Sequence, residues 1–310
     1  MTLASTFQRY GVLLALVILC AGFSALAPSA FATTANVVNL LQQITALAIV
    51  AVGATLVMII GEFDLSVGFT ASLAAVLAFV LFGLGVSVPL AMLAALAAGA
   101  LAGAVNGVLV ARFAVPSFVA TLAIGTIVSG FAYWLSGGQS LFSGVPTSFT
   151  SLARGDIFGF PVLALWMVAV LLLSALFLSR TRFGRRIHAI GDNAAAAHLV
   201  GLPVMRDRIF VFTLVGILAA LAGLLLAART GSVQHTMGEG LLLPAYAAAF
   251  LGATASRTGT PNIAGAFLGV TIAGVVVNGL TIIGVEPFVQ KMVTGAIIIA
   301  AVLLRRVGKG

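Results

Sequence analysis

Charge is what this sequence has least of. Only 7% of its 310 residues are Asp, Glu, Lys or Arg, against about 25% in a soluble domain, whose surface must be wetted. With 62% apolar residues and a mean hydropathy of +1.24, the chain cannot cover a water-facing globule. It holds apolar material for roughly nine or ten helices of about 20 residues, and reads as an integral membrane protein. Its single cysteine, Cys20, lies inside an apolar run, which excludes an internal disulfide and a cysteine metal cluster. Three scattered histidines, His188, His198 and His235, form no metal-ligand pattern. The short alternating segments of an outer-membrane barrel are missing. So are a phosphate-binding loop, a nucleophile elbow and a metal motif. No catalytic or metal-binding residue is expected, and any energy source must come from a partner or an ion gradient.

The charges that exist are placed tellingly. Arg180, Arg182, Arg185, Arg186, Arg206 and Arg208 crowd one polar segment, and Arg305, Arg306 and Lys309 close the chain. This is the positive-inside pattern of cytoplasmic loops, so the formal charge of +8 does not imply nucleic acid. Ten spans are expected, near 10–28, 38–60, 66–84, 88–110, 117–136, 161–179, 209–229, 240–255, 262–281 and 287–304. Ten crossings put both termini, Arg9, Arg112, Arg257 and the arginine-rich segment on the cytoplasmic side. Arg154 and Asp156, in the 137–160 loop, are then the exception. Arg9, Gly11–Phe23 and the small residues at 25–32 also have the shape of a cleavable signal peptide. An uncleaved first span is preferred, because removal would separate the termini across the membrane.

Two stretches resemble each other. Val105-Asn106-Gly107 precedes Pro116 and Phe118, and Val277-Asn278-Gly279 precedes Pro287 and Phe288. Upstream of each lies a run broken by glycine and polar residues, 61–68 and 252–259. The topology places the two Asn-Gly-to-Pro turns on opposite sides, as in the inverted repeats of transporters. Chance similarity among Ala/Gly/Val-rich helices is the plainer alternative.

Among only seven acids, Glu62 and Asp64 are the most informative, because they interrupt the apolar stretch from Ile44 to Leu84 between Gly61 and Gly68. A broken helix there would line a solute path through Glu62, Phe63, Asp64 and Ser66. Alternatively, it is a wetted cytoplasmic turn. Gln42, Gln43, Asn106 and Asn278 are further path candidates, since neutral amides offer donors and acceptors to a hydroxylated solute; helix–helix hydrogen bonding would also account for them. In the 180–208 loop, Asn193 can cap a short helix over Ala194–Val200 that Gly201 and Pro203 stop. Such a helix would seat in another protein's groove, or lie on anionic lipid.

These features together resemble the permease subunit of a bacterial ABC importer of the ribose/xylose simple-sugar family, over nearly the whole chain. Gly61–Gly68 is similar to that family's Gly-Gly-Ile-Asp-Leu-Ser-Val-Gly signature, with Glu62 and Phe63 in place of Gly and Ile. Phe183–Pro203 resembles its coupling loop, with Asp192 replacing a glycine and Ala194 standing where an acid is usual. Gly238–Gly252 and Thr260–Gly265 resemble its glycine-rich eighth and ninth spans, without the acid expected around Leu242–Leu243.

The resemblance implies an all-α polytopic membrane protein. It would have about ten transmembrane helices, an inverted repeat, broken helices and a single permease domain over 1–310, with the 180–208 loop coupling to a cytoplasmic ABC ATPase. The coupling residues would be Gly191, Asp192, Asn193, Ala194, Ala195, Ala196, Ala197, His198, Leu199 and Gly201. Further partners would be a periplasmic solute-binding protein, a second permease chain (identical or paralogous) and membrane lipid. The location would be the bacterial inner membrane. The chain would be no enzyme and hold no cofactor, ATP being bound by the partner. The solute would be a sugar or related polyhydroxylated compound. An ion-gradient-driven secondary transporter, or an ABC permease for an amino acid or nucleoside, is the alternative.

Overall fold

A computed structural model describes residues 3–254 and 259–307. Arg257 and Lys309 lie outside the described residues, as do the side chains of Arg9, Arg305 and Arg306. Helices cover the apolar runs: α1 (Leu3–Leu26), α2 (Thr34–Ile59), α3 (Val67–Gly83), α4 (Val88–Ala111), α5 (Ser117–Ser136), α7 (Val162–Arg180), α10 (Val204–Thr230), α11 (Leu242–Thr254), α12 (Ile263–Ile282) and α13 (Pro287–Val307). Among the described residues, six of them (α2, α4, α5, α7, α10 and α12) are long and apolar enough to cross a membrane unaided. In α1, α3 and the α11 region the apolar helix is shorter. The fold is thus an all-α polytopic membrane protein. A two-residue hairpin, Asp156–Ile157 with Phe160–Pro161, is its one sheet among the described residues.

Burial separates centre from periphery. The apolar windows of α2, α10 and α12 are 72%, 61% and 67% buried, whereas those of α4, α5 and α7 are only 28% buried. The outer helices turn Leu93, Leu101, Leu122, Leu172 and Leu173 outward, as a lipid-facing surface requires. Small residues let backbones meet at the centre. A Cβ on Gly103 would overlap the Phe212 carbonyl oxygen, and one on Gly216 would overlap that of Gly99, so α4 and α10 touch along their backbones. Gly252 and Gly265 do the same for α11 and α12.

The packing partners correspond between the two halves. α4 packs on α10 as α12 packs on α2; α3 packs on α10 as α11 packs on α2; α3 meets α5 as α11 meets α13. The two Asn-Gly sequences occupy matching places near the ends of α4 and α12, each shortly before a proline that opens the next helix. Asn278 and Asn36 exchange reciprocal 3.0 Å amide hydrogen bonds, and Asn36 also donates to the Phe31 carbonyl at 3.0 Å. This fastens α12 to the start of α2.

The loop between α5 and α7 carries α6 (Thr147–Arg154) and is tucked in rather than free. Phe149 is fully buried against Phe79 and Phe82, and Leu141 pairs with Val233. Arg154, the charge that broke the expected pattern, donates from Nε to the Arg229 carbonyl at 3.0 Å. A cation at the C-terminal end of α10 is a favoured position, because that end carries unpaired carbonyls.

Candidate functional site

The chain unwinds between α2 and α3, over residues 60–66, where Gly61 takes φ +80. Only glycine adopts that conformation cheaply. Every backbone N–H from Gly61 to Ser66 nevertheless finds an acceptor. Gly61 and Glu62 donate back to the Met58 and Val57 carbonyls, each at 3.1 Å. Phe63 donates to Ser117 Oγ (3.2 Å), Asp64 to Tyr246 Oη (2.6 Å), Leu65 to Thr121 Oγ1 (2.9 Å), and Ser66 to Asp64 Oδ1 (2.8 Å). Tyr246 Oη in turn donates to the Asp64 carbonyl at 3.0 Å. One phenol on α11 therefore satisfies both main-chain groups of Asp64. In an apolar interior the pairing of every N–H is what permits a non-helical segment.

Asp64, Ser66 and Asn106 are brought together and buried. Ser66 Oγ donates to Asp64 Oδ1 at 2.5 Å and accepts from Asn106 Nδ2 at 2.8 Å. Asp64 Oδ2 and Asn106 Oδ1 keep buried acceptor capacity with no hydrogen-bond partner. Glu62 turns away from this knot and pairs with Arg208 Nη2 of α10 at 3.2 Å. Phe63 is partly exposed beside the Tyr246 and Phe250 rings, at 5.7 and 6.2 Å between centroids. Gln42 and Gln43 are half-buried on α2. Asn278 is not part of the cluster, being bonded to Asn36.

The polar segment folds as two helices, α8 (Arg182–Asp192) and α9 (Ala194–Leu199). The expected helix over Ala194–Val200 is there, one residue shorter. Asn193 caps it, accepting from Ala196 N–H at 2.9 Å, and Gly201 ends it with φ +82. The sequence reading did not foresee α8. Its Ile187 and Ile190 are buried, and a Cβ on Gly191 would overlap the carbonyl oxygen of Ile59, the last residue of α2. The base of the loop is also pinned by Arg186, whose Nε and Nη2 form a fork on Asp207 of α10 at 2.7 and 2.8 Å. Those hydrogen bonds push the Arg186 pKa further above the ordinary guanidinium value. By contrast, the tip is bare: Leu199 and Val200 are 86% and 76% exposed, with Asp192, Asn193, Ala195, Ala196 and His198 exposed beside them. Ala194 is half-buried and Ala197 is buried.

Tyr246, Thr121, Ser117 and Asp207 are not singled out by the sequence, and Arg208 only as one of the arginine cluster. A signal existed for Tyr246, the one hydroxyl between Leu241 and Ala253. Another lay in Asp207-Arg208, adjacent opposite charges at the head of an apolar helix.

A bundle of apolar helices with a break whose backbone N–H groups are all paired, and an anchored polar loop with an exposed apolar tip, defines a multi-pass membrane transport protein. The profile of the family described as "Branched-chain amino acid transport system / permease component" matches residues 36–302, and the chain belongs to that family. It is 40% identical over 304 residues to the ribose import permease protein RbsC of Escherichia coli K12, covering 94% of this chain and 92% of the relative. It is 37% identical to the autoinducer 2 import system permease protein LsrC of Enterobacter sp. strain 638 (83% and 75% covered). With the L-arabinose transport system permease protein AraH of Escherichia coli K12 it shares 35% identity (97% and 91% covered).

Proposed function

We propose that this chain is the transmembrane subunit of an ATP-driven importer that carries a sugar or related polyhydroxylated solute across the inner membrane. The observation that carries the reading is the contrast within the 180–208 loop. Its base is locked to α2 and α10, while Leu199 and Val200 stand exposed at its tip. A short, capped, alanine-rich helix with an apolar end fits a groove on a cytoplasmic ABC ATPase. The relatives' names support the solute class: ribose, L-arabinose and autoinducer 2 are the cargoes those names state.

The chain crosses ten times, with both termini cytoplasmic and its halves related as an inverted repeat. The matched packing of α4 on α10 and α12 on α2 supports that relation. A periplasmic solute-binding protein delivers the cargo, and a second permease chain completes the path.

Movement of α9 reaches the pathway by two routes. One is the contact of Gly191 on the end of α2; the other runs through Arg186 and Asp207 to Arg208 and Glu62. Both meet at the unwound segment, where Glu62 and the exposed Phe63 offer a charge and an aromatic face to a hydroxylated solute. Two conformations of this segment, biased by nucleotide on the ATPase, constitute the switch.

The test is mild-detergent purification from native membranes followed by reconstitution. A stoichiometric P-loop ATPase should co-purify, and sugar uptake into vesicles should be blocked by vanadate and indifferent to ionophores. A chain that purifies without an ATPase and moves solute only down an ion gradient overturns the proposal.

A further inference from the structure

A cleft of about 350 Å³ opens where α7, α8 and α10 converge beside the coupling loop. Its lining divides by chemistry. Phe177, Phe183 and Phe210 form an aromatic floor, with centroids 5.2 Å apart for the first pair and 4.9 Å for the second. Arg186, Arg206 and Asp207 supply the charged rim. Asp207 and Arg186 compensate each other through the fork, so Arg206 carries the uncompensated charge of the rim, while Arg186 Nη1 lies outside the fork as a further donor. Arg206 is exposed and has no ion pair among the described residues. Around this rim the 180–208 segment sets six arginines against two aspartates.

We infer that this cleft binds an anionic phospholipid, its phosphate on Arg206 and Arg186 and the upper part of its acyl chains on the Phe177, Phe183 and Phe210 rings. Charge complementarity selects the headgroup. The tail is indicated by what continues from the cleft along α7. Leu173 lies one turn before Phe177 on the same face, and with Leu176 it is exposed, at 67% and 54%. Free phosphate would use the rim and leave the apolar floor and tract idle; an acyl chain covers both. The site needs only that the chain sit in a membrane, and does not depend on the importer reading. Its position ties α8 to α10, so a bound lipid would brace the base of the coupling loop.

The test is native mass spectrometry of the purified full chain titrated with phosphatidylglycerol, or with phosphatidylcholine of the same acyl chains. One phosphatidylglycerol should be retained in preference to phosphatidylcholine. Arg206→Glu should lower its retention by about fivefold or more, since one arginine at a membrane surface contributes on that scale. Arg112→Glu, at the exposed end of α4, serves as the control for general surface charge and should change little. Because Arg206 is exposed, its substitution leaves the core intact; Phe210→Ser should independently weaken retention. Equal retention of the two lipids, equal effects of Arg206→Glu and Arg112→Glu, or displacement by millimolar inorganic phosphate would each overturn the inference.

Discussion

Replacing Tyr246 by Phe removes one oxygen atom, and the arrangement around Asp64 sets what that removal costs. Tyr246 is 6% exposed and Asp64 1%, so water does not freely replace the lost group. The phenol both accepts from the Asp64 N–H and donates to the Asp64 carbonyl. Its loss strands two buried main-chain groups. Each group left unpaired costs about 1–3 kcal/mol, so the variant should lose about 2–6 kcal/mol. At about 2–4 °C per kcal/mol, its Tm in detergent should fall by about 4–24 °C. The assay is thermal unfolding followed by circular dichroism or by loss of the monodisperse chromatographic peak. Tyr133→Phe is the control, because that ring is 57% exposed and its hydroxyl makes no hydrogen bond among the described residues. Thr121→Val strands the single N–H of Leu65 and should show about half the Tyr246 effect. If Tyr246→Phe melts with Tyr133→Phe, the unwound segment is not held by main-chain satisfaction, and the account of why it tolerates an apolar interior is wrong.

Two further outcomes test the route from loop to pathway. Glu62→Arg should impair uptake by placing two guanidinium groups together, and the exchange Glu62→Arg with Arg208→Glu should restore most of it. A coupling energy of about 1–2 kcal/mol is expected for this partly buried pair, and a double variant no better than the sum of the singles would refute a direct interaction. Gly191→Val should abolish solute-stimulated ATPase activity of the reconstituted complex. The chain should remain monodisperse, because the displaced contact is one edge of α8 on Ile59; undiminished stimulation would refute the contact's role.

Much of the architecture was legible because the bilayer enforces a single rule: an apolar run long enough to span must satisfy its own backbone. The helices therefore fell on the apolar runs, and the short helix after Asn193 was read from its cap and its glycine stop. What stayed hidden were pairings across long sequence separations. Nothing local to Asp64 points to a phenol 182 residues away, and nothing local to Glu62 points to Arg208. The amphipathic helix α8 was masked by its charge: Arg182, Arg185 and Arg186 dominate the segment, while Gly184, Ile187 and Ile190 quietly set its buried stripe at helical spacing. The polar candidates Asp64, Ser66 and Asn106 converge, whereas Asn278 joins Asn36, because an amide in an apolar bundle takes whichever partner the helix packing presents.

The backbone contact between α4 and α10 has a consequence for biogenesis. α10 leans on α2, α3 and α4, yet it is translated only after α5, α7 and the whole arginine-rich loop. While the ribosome is still making those segments, Gly99 and Gly103 face a vacancy that only Phe212 and Gly216 are shaped to fill. The early helices can insert one by one, but they cannot close into a bundle until the late helix arrives. A chain arrested before residue 204 would offer that glycine seam to lipid, to chaperones or to membrane proteases. This late-made central helix thereby serves as a checkpoint for whether the earlier helices were assembled.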